Sequence, residues 1–159
     1  MSKSLNTLIK SSIFHAFEYK ISNIKYFKSA LTHKSISDDN YERLEILGDS
    51  ILQMLITEML YFKYPNHSEG QITIIRQNLV NSTNLQNIFL SLNLMEVFKE
   101  NNFKFISGNV CDDLFEAIIG AIYLDSDYET IKRIVSNIFS PLLIDGVIKK
   151  DFKTILQEY

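Results

Sequence analysis

Cysteine occurs once in the 159 residues, at Cys111, so neither an internal disulfide nor a cysteine-based zinc site is available. A lone thiol fits a reducing compartment. Two prolines and five glycines are too few to cut the chain into many short elements. No apolar run reaches the roughly 18 residues that a membrane helix needs. The opening residues MSKSLNTLIKSS lack the long apolar stretch of a secretory signal. A soluble, cytoplasmic chain with no membrane partner is expected. Positive charge is also short: 16 Lys and Arg against 19 Asp and Glu leave a net charge of -3. That balance argues against a nucleic-acid binder, because phosphate contacts need cations. The exception is a chain whose acids cluster as metal ligands, where bound cations reverse the local sign.

What is present suits one globular domain: 46% of the residues are hydrophobic and 22% charged. Apolar spacing is helical almost throughout, and no pair of apolar runs flanks a hairpin turn, so an all-α fold is expected. The spacing predicts helices over 4–16, from Ile24 with Asn23 as cap, over 41–62, 69–80, 82–91, 110–124, 128–139 and 152–159. Ser68 and Gln71 make a capping box for the fourth of these. Ser126 and Asp127 are caps between the two helices they separate. Residues 99–109 are the least regular and are expected to form a loop.

Acids recur at helical spacing in two places. At about 100° per residue, Glu42, Glu45 and Asp49 fall at about 0°, 300° and 340°, one face of a helix otherwise covered with Leu and Ile. Asp113 and Glu116 are i, i+3 neighbours leading into the apolar run 117–122, while Asp112 falls off their face. Two buried helices, each with an acid stripe, invite a shared site, since packed like charges need a proton or a cation between them. Oxygen ligands of this kind suit Mg²⁺ or Mn²⁺, and magnesium held by few carboxylates is apparatus for phosphodiester hydrolysis. Glu42 and Asp113 also lie near helix starts, where an acid favours the dipole without any metal. A di-iron bundle would want Glu-x-x-His pairs, and none follows Glu42 or Glu45.

The stretch ERLEILGDSIL at 42–52 resembles the ribonuclease III signature, ERLEFLGDSVL. Further segments follow in that family's order. Residues 30–35, ALTHKS, resemble its ALTHxS. Glu69-Gly70 with Arg76, Leu79 and Val80 resembles EGxLSxxRxxLV. Residues 113–125 resemble DxxEAxIGAIYLD, and 151–158 resemble DxKTxLQE. The resemblance implies a metal-dependent endonuclease for double-stranded RNA, acting in RNA processing, rRNA included, as a homodimer without a small-molecule cofactor. It implies Glu45, Asp49, Asp113 and Glu116 as the metal ligands, with Asp49 and Glu116 catalytic, and Glu42 and Glu69 as further acids of the same valley. It implies attack by metal-bound water, leaving 5′-phosphate and 3′-hydroxyl ends with a short 3′ overhang. Gln157 matches a position near the RNA backbone, and Lys153 is a further candidate RNA contact; for Lys149, Lys150 and Lys153 a solvated face is the plainer reading. Gly48 allows close backbone approach between helices and, with Ile46, is assigned to the dimer seam. His33 reads as a hydrogen-bonded packing residue, and His15 and His67 as surface residues. Most Phe and Tyr are expected in the core.

This sequence departs from the pattern at three points. Ile46 stands where Phe is usual. The segment before Asp113 is short and lacks the usual SILAD. The chain ends at Tyr159, where bacterial members usually continue into a double-stranded-RNA-binding domain, so residues 1–159 are expected to form one catalytic domain without that module. A non-catalytic, RNA-binding or ribosome-associated member of the same fold is the alternative, although such members generally lose the acids.

Overall fold

The computed structural model describes residues 4–102 and 110–144. Every regular element in them is a helix: α1 Leu5–Phe17, α2 Ile24–Ala30, α3 Glu42–Lys63, α4 Glu69–Leu79, α5 Ser82–Ser91, α6 Met95–Asn101, α7 Cys111–Asp125 and α8 Tyr128–Ile144. The starts follow local chemistry. Ser4, Asn23 and Asn81 each accept a backbone N–H from the first turn. Ser68 and Gln71 form the complete capping box expected of them. Asp127 accepts the Thr130 N–H at 2.8 Å ahead of α8.

Helices α3 and α7 form the centre and pack on each other more extensively than any other pair. α2 and α5 flank α7, while α4 and α8 lie against α3. Leu52, Ile56, Phe115 and Ile119 in this centre are fully buried. α7 is the most enclosed helix, buried continuously from Ala117 to Ile122, which is why its apolar run shows no amphipathic period. The crossing of α3 and α7 is set by two glycines. A Cβ on Gly48 would stand 1.7 Å from the Glu116 carbonyl oxygen, and one on Gly120 would stand 2.4 Å from the Leu44 carbonyl oxygen. Only hydrogen at both positions lets the backbones touch. The close approach expected at Gly48 is therefore real, but its partner is α7 of the same chain. Nothing in this contact places Gly48 in a dimer seam.

Two boundaries differ from expectation. α6 reaches Asn101, so Lys99–Asn101 are helical rather than loop. Val97 and Phe98 are buried there, and tertiary packing supplies what seven residues of local propensity cannot. α8 runs past Phe139 to Ile144 with Pro141 inside it; the ring removes one N–H bond, and the turn persists. Residues 103–109 and the expected C-terminal helix at 152–159 lie outside the described residues, as do Lys149, Lys150, Lys153 and Gln157.

The connection from α2 to α3 matters for the site. Asn102, the one buried polar residue among those described, accepts the His33 N–H at 2.8 Å and donates to the Leu31 and Phe98 carbonyls. Tyr41 is buried, packs on the His33 ring at 5.8 Å, and its N–H donates to the Thr32 carbonyl. The turn carrying His33, Lys34 and Ser35 is thus pinned at both ends. His33 has the packing role expected of it. Its Nδ1 accepts the Ser35 N–H at 3.2 Å and lies 2.8 Å from Ser35 Oγ. Burial, followed by the Lys34 charge, holds its pKa below the usual imidazole value. His15 is exposed as expected; His67 is half-buried and stacks on Tyr64 at 4.7 Å.

Candidate active site

The glycine crossing brings the two acid stripes together. Glu45 and Asp49 flank Gly48 on α3, and Glu116 is the residue whose backbone meets Gly48 on α7, one turn after Asp113. The electrostatics report their proximity. Glu116 is pushed up to about 8, first by burial and then by the charges of Asp49, Glu45, Asp113 and Asp112. Glu45 is raised by burial, then by Asp113 and Glu42. Asp113 is raised by burial, then by Asp112. Even the Tyr41 hydroxyl, at the foot of α3, is raised to about 12 by burial, followed by Asp113, Glu45, Glu42 and Asp112. This is a set of carboxylates that cannot all ionise cheaply without added positive charge.

Few groups offset that charge. Lys34 makes an ion pair with Glu42, Nζ to Oε1 at 3.2 Å, and its field lowers both Glu45 and Asp113. Asp49 accepts a hydrogen bond from the Gln53 amide at 3.3 Å. Asp112 turns away to accept the Ser82 hydroxyl, as expected from its register, yet its charge still reaches the cluster. Lys34 is not legible in the sequence as a site residue, because a turn separates it from Glu42 and no helical period relates the two.

Glu69 does not join the others. It begins α4, where it accepts the Thr73 hydroxyl at 3.1 Å, and it lines a cavity of about 540 Å³ with Tyr61, Phe62 and Arg76. The remaining turns of α3 separate it from Asp49 by about 20 Å along the axis. Glu42, Glu45, Asp49, Asp113 and Glu116 line neither this cavity nor the three others described.

A divalent cation fits this donor set in one respect and not in another. Among the described residues, no three His, Cys, Asp or Glu side chains converge into a cage that would enclose a metal by themselves. Magnesium does not require one, since it keeps several waters and commonly takes only one or two carboxylates with substrate phosphates. All the donors are hard oxygens, and their mutual repulsion is what a cation would relieve.

A second face of α3 is exposed and apolar. Ile46 is 70% exposed, Met54 46%, Tyr61 66% and Phe62 72%. Ile46, Met54 and Tyr61 fall within about 80° of one another around the helix, beside the acid face. Aligned this way, these large apolar side chains form an exposed apolar patch.

Together these features describe a helical domain built on two crossing helices, with carboxylates opposed across them and an exposed apolar stripe alongside. Comparison with known proteins places it further. A family model described as Ribonuclease-III-like matches residues 23–142. Ribonuclease 3 of Francisella philomiragia is 40% identical over 157 residues, covering 93% of this chain and 67% of that protein. Ribonuclease 3 of Dechloromonas aromatica is 35% identical over 160 residues, covering 96% of this chain and 72% of that protein. A solved nuclease domain of ribonuclease III from Campylobacter jejuni superposes with a TM-score of 0.72 at 34% identity, over 82% of this chain and 95% of that one; flexibility is described there in a region involved in dimer formation. The chain belongs to the ribonuclease III family, and its class is that of a ribonuclease. No helix among the described residues is long and apolar enough to cross a membrane.

Proposed function

We propose that this chain is the catalytic domain of a double-stranded-RNA endonuclease that works as a twofold homodimer in the cytoplasm, in RNA processing. The observation that carries this reading is the Gly48–Gly120 crossing, which sets Glu45 and Asp49 on α3 against Glu116 on α7 so that their charges and that of Asp113 add to its raised pKa, in a member of this family. These four residues would hold Mg²⁺, or Mn²⁺ in its place. When bound, the cation supplies charge stabilisation at phosphate and a water nucleophile of lowered pKa. The protein's own part is to fix the carboxylates on two rigid helices and to keep Glu116 partly buried, so that the site prefers a cation to free anions. The proposed products carry 5′-phosphate and 3′-hydroxyl ends with a short 3′ overhang.

Dimerisation rests on the exposed α3 stripe. A twofold axis through it would set one acid cluster on each side of a single duplex. It would also bring the far end of one α3, with Glu69, toward the acids of the other subunit. The role of Glu69 as a further acid of the valley, like that of Glu42, is part of this proposal. So are the backbone contacts assigned to Lys153 and Gln157. Ile46→Asp should convert the dimer to monomer, because it buries an unpaired charge in the seam. Sedimentation of the two proteins at micromolar concentration checks this, and a wild-type monomer there would remove the dimer from the proposal.

The activity itself is tested on a long RNA duplex, with Mg²⁺ and with EDTA, with the product ends mapped. Magnesium-dependent cutting of both strands is expected. Binding without cleavage would identify a non-catalytic member of the family instead.

A further inference from the structure

The acid cluster has a rim cation that the proposed chemistry does not use. Lys34 lies on the turn between α2 and α3, and its Nζ is 3.2 Å from Glu42 Oε1, with the two side chains 55% and 48% exposed. The backbone beneath it is held firmly. The His33 N–H is bound by buried Asn102, the Ile36 N–H donates to the His33 carbonyl, and the Tyr41 N–H donates to the Thr32 carbonyl. Lys34 is therefore a long, flexible side chain on a fixed base. Its position is not incidental, because it is the cation whose charge reaches both Glu45 on α3 and Asp113 on α7.

A chain of net charge -3 that approaches RNA with its acids foremost faces a problem of sign, since phosphates and carboxylates repel. A half-exposed Lys–Glu pair is weak and screened, so the ammonium can exchange Glu42 for another anion at little cost. Lysine suits such an exchange as a compact charge on a flexible stem. We propose that Lys34 is a phosphate-contacting residue, parked on Glu42 in the free protein and transferred to the RNA backbone beside the cleavage site when a duplex docks. This rests on the endonuclease reading above and adds to it a specific substrate contact.

The geometry separates this role from a structural one. A lysine that merely positioned Glu42 would act on the acid cluster, and its loss would appear in metal use and turnover. A lysine that binds phosphate acts on substrate capture, and its loss would appear in KM and in salt dependence. Removing a positive charge near the acids cannot weaken their attraction for a cation.

The test uses the full chain, its Lys34→Gln and Lys34→Arg variants, and a duplex RNA at saturating Mg²⁺ across a salt series. For Lys34→Gln, KM should rise about five- to tenfold with a much smaller fall in kcat. The slope of log(kcat/KM) against log salt should shrink by about one for each Lys34 in contact with the duplex. The half-activating Mg²⁺ concentration should stay the same or fall. Lys34→Arg should recover most of the KM and the salt slope. Wild-type KM and slope in Lys34→Gln would overturn the assignment. So would a fall in kcat with weaker Mg²⁺ activation at unchanged KM, which is the signature of a brace for Glu42. If the wild-type chain neither binds nor cuts the duplex, the endonuclease reading fails and this inference fails with it; if the wild type cuts and only the lysine is silent, this inference alone is lost.

Discussion

Replacing Glu116 with glutamine is expected to cut the cleavage rate by about a thousandfold, about 4 kcal/mol at 1.36 kcal/mol per decade, while leaving the fold as stable as before or slightly more so. The two effects have one origin. Glu116 is half-buried on α7 among Asp49, Glu45 and Asp113, and burial followed by those charges pushes its carboxyl up to about 8. Glutamine keeps the size and removes both the repulsion and the ligand charge. The variant should also lose a pH dependence that the wild type shows in EDTA. A carboxyl whose folded pKa is raised binds more protons folded than unfolded in the interval between the two values. Its stabilising contribution is complete below the ordinary 4.5 and declines as pH climbs to about 8. Glu45 and Asp113, raised in the same direction, add to the decline. Because Glu116 is only partly enclosed, solvent screening reduces the loss to about 1–3 kcal/mol. Mg²⁺ should restore most of it, since a ligand that binds only the folded state stabilises that state. The measurements are melting temperature from about pH 4.5 to 8.5, spanning the two pKa values, with and without Mg²⁺, and cleavage of duplex RNA by the same samples. Wild-type cleavage by Glu116→Gln would show that the active site lies elsewhere. A flat pH profile in the wild type would show that the acids do not repel as the geometry requires.

The acids are legible in the amino-acid sequence because helical period alone decides which of them share a face. Glu42, Glu45 and Asp49 recur within two turns, Asp113 and Glu116 within one, and burial of the apolar remainder of each helix aims the stripes inward. The capping box at Ser68 and Gln71 is legible for the same local reason. What escapes is what depends on residues far apart in the chain. Gly48 can be seen to permit a close approach, but nothing local names Gly120, 72 positions on, as its counterpart, so the contact reads as one with a second subunit. Lys34 reaches Glu42 across a turn with no period. The helix at Met95–Asn101 exists because Val97 and Phe98 find a buried place, a tertiary fact that seven residues cannot announce. Glu69 shows the converse case. Motif order puts it beside the other acids, while the length of α3 carries it away from them within one chain.

Gly48→Ala should destabilise the fold by about 3 kcal/mol or more. Helix propensity points the other way, since alanine in place of glycine inside α3 would by itself stabilise by about 1 kcal/mol. Sterics decide the sign. The added Cβ would stand 1.7 Å from the Glu116 carbonyl oxygen, 2.5 Å from its carbonyl carbon and 3.0 Å from the Gly120 amide nitrogen. All three are backbone atoms of α7, so no side-chain rotation can relieve the clash. The helices must separate, and the contact between them is the most extensive in the molecule. For a domain of this size, about 3 kcal/mol corresponds to roughly 6–12 °C in melting temperature. The site would suffer with the fold, because the atom being struck belongs to Glu116 and Glu45 and Asp49 flank the residue that strikes it. Variant molecules that remain folded should therefore have lost both the alkaline decline in stability and its rescue by Mg²⁺, as the carboxylates move apart. Gly70→Ala is the control. At that position, in the first turn of α4, the nearest atom to an added Cβ is Ser68 Oγ at 4.0 Å, so propensity alone acts and a gain of up to about 1 kcal/mol is expected. Thermal melts of the two variants beside wild type decide the matter. Gly48→Ala melting at or above the wild-type temperature would mean that α3 and α7 do not cross in contact at this glycine pair, and that the carboxylates are not held together by it.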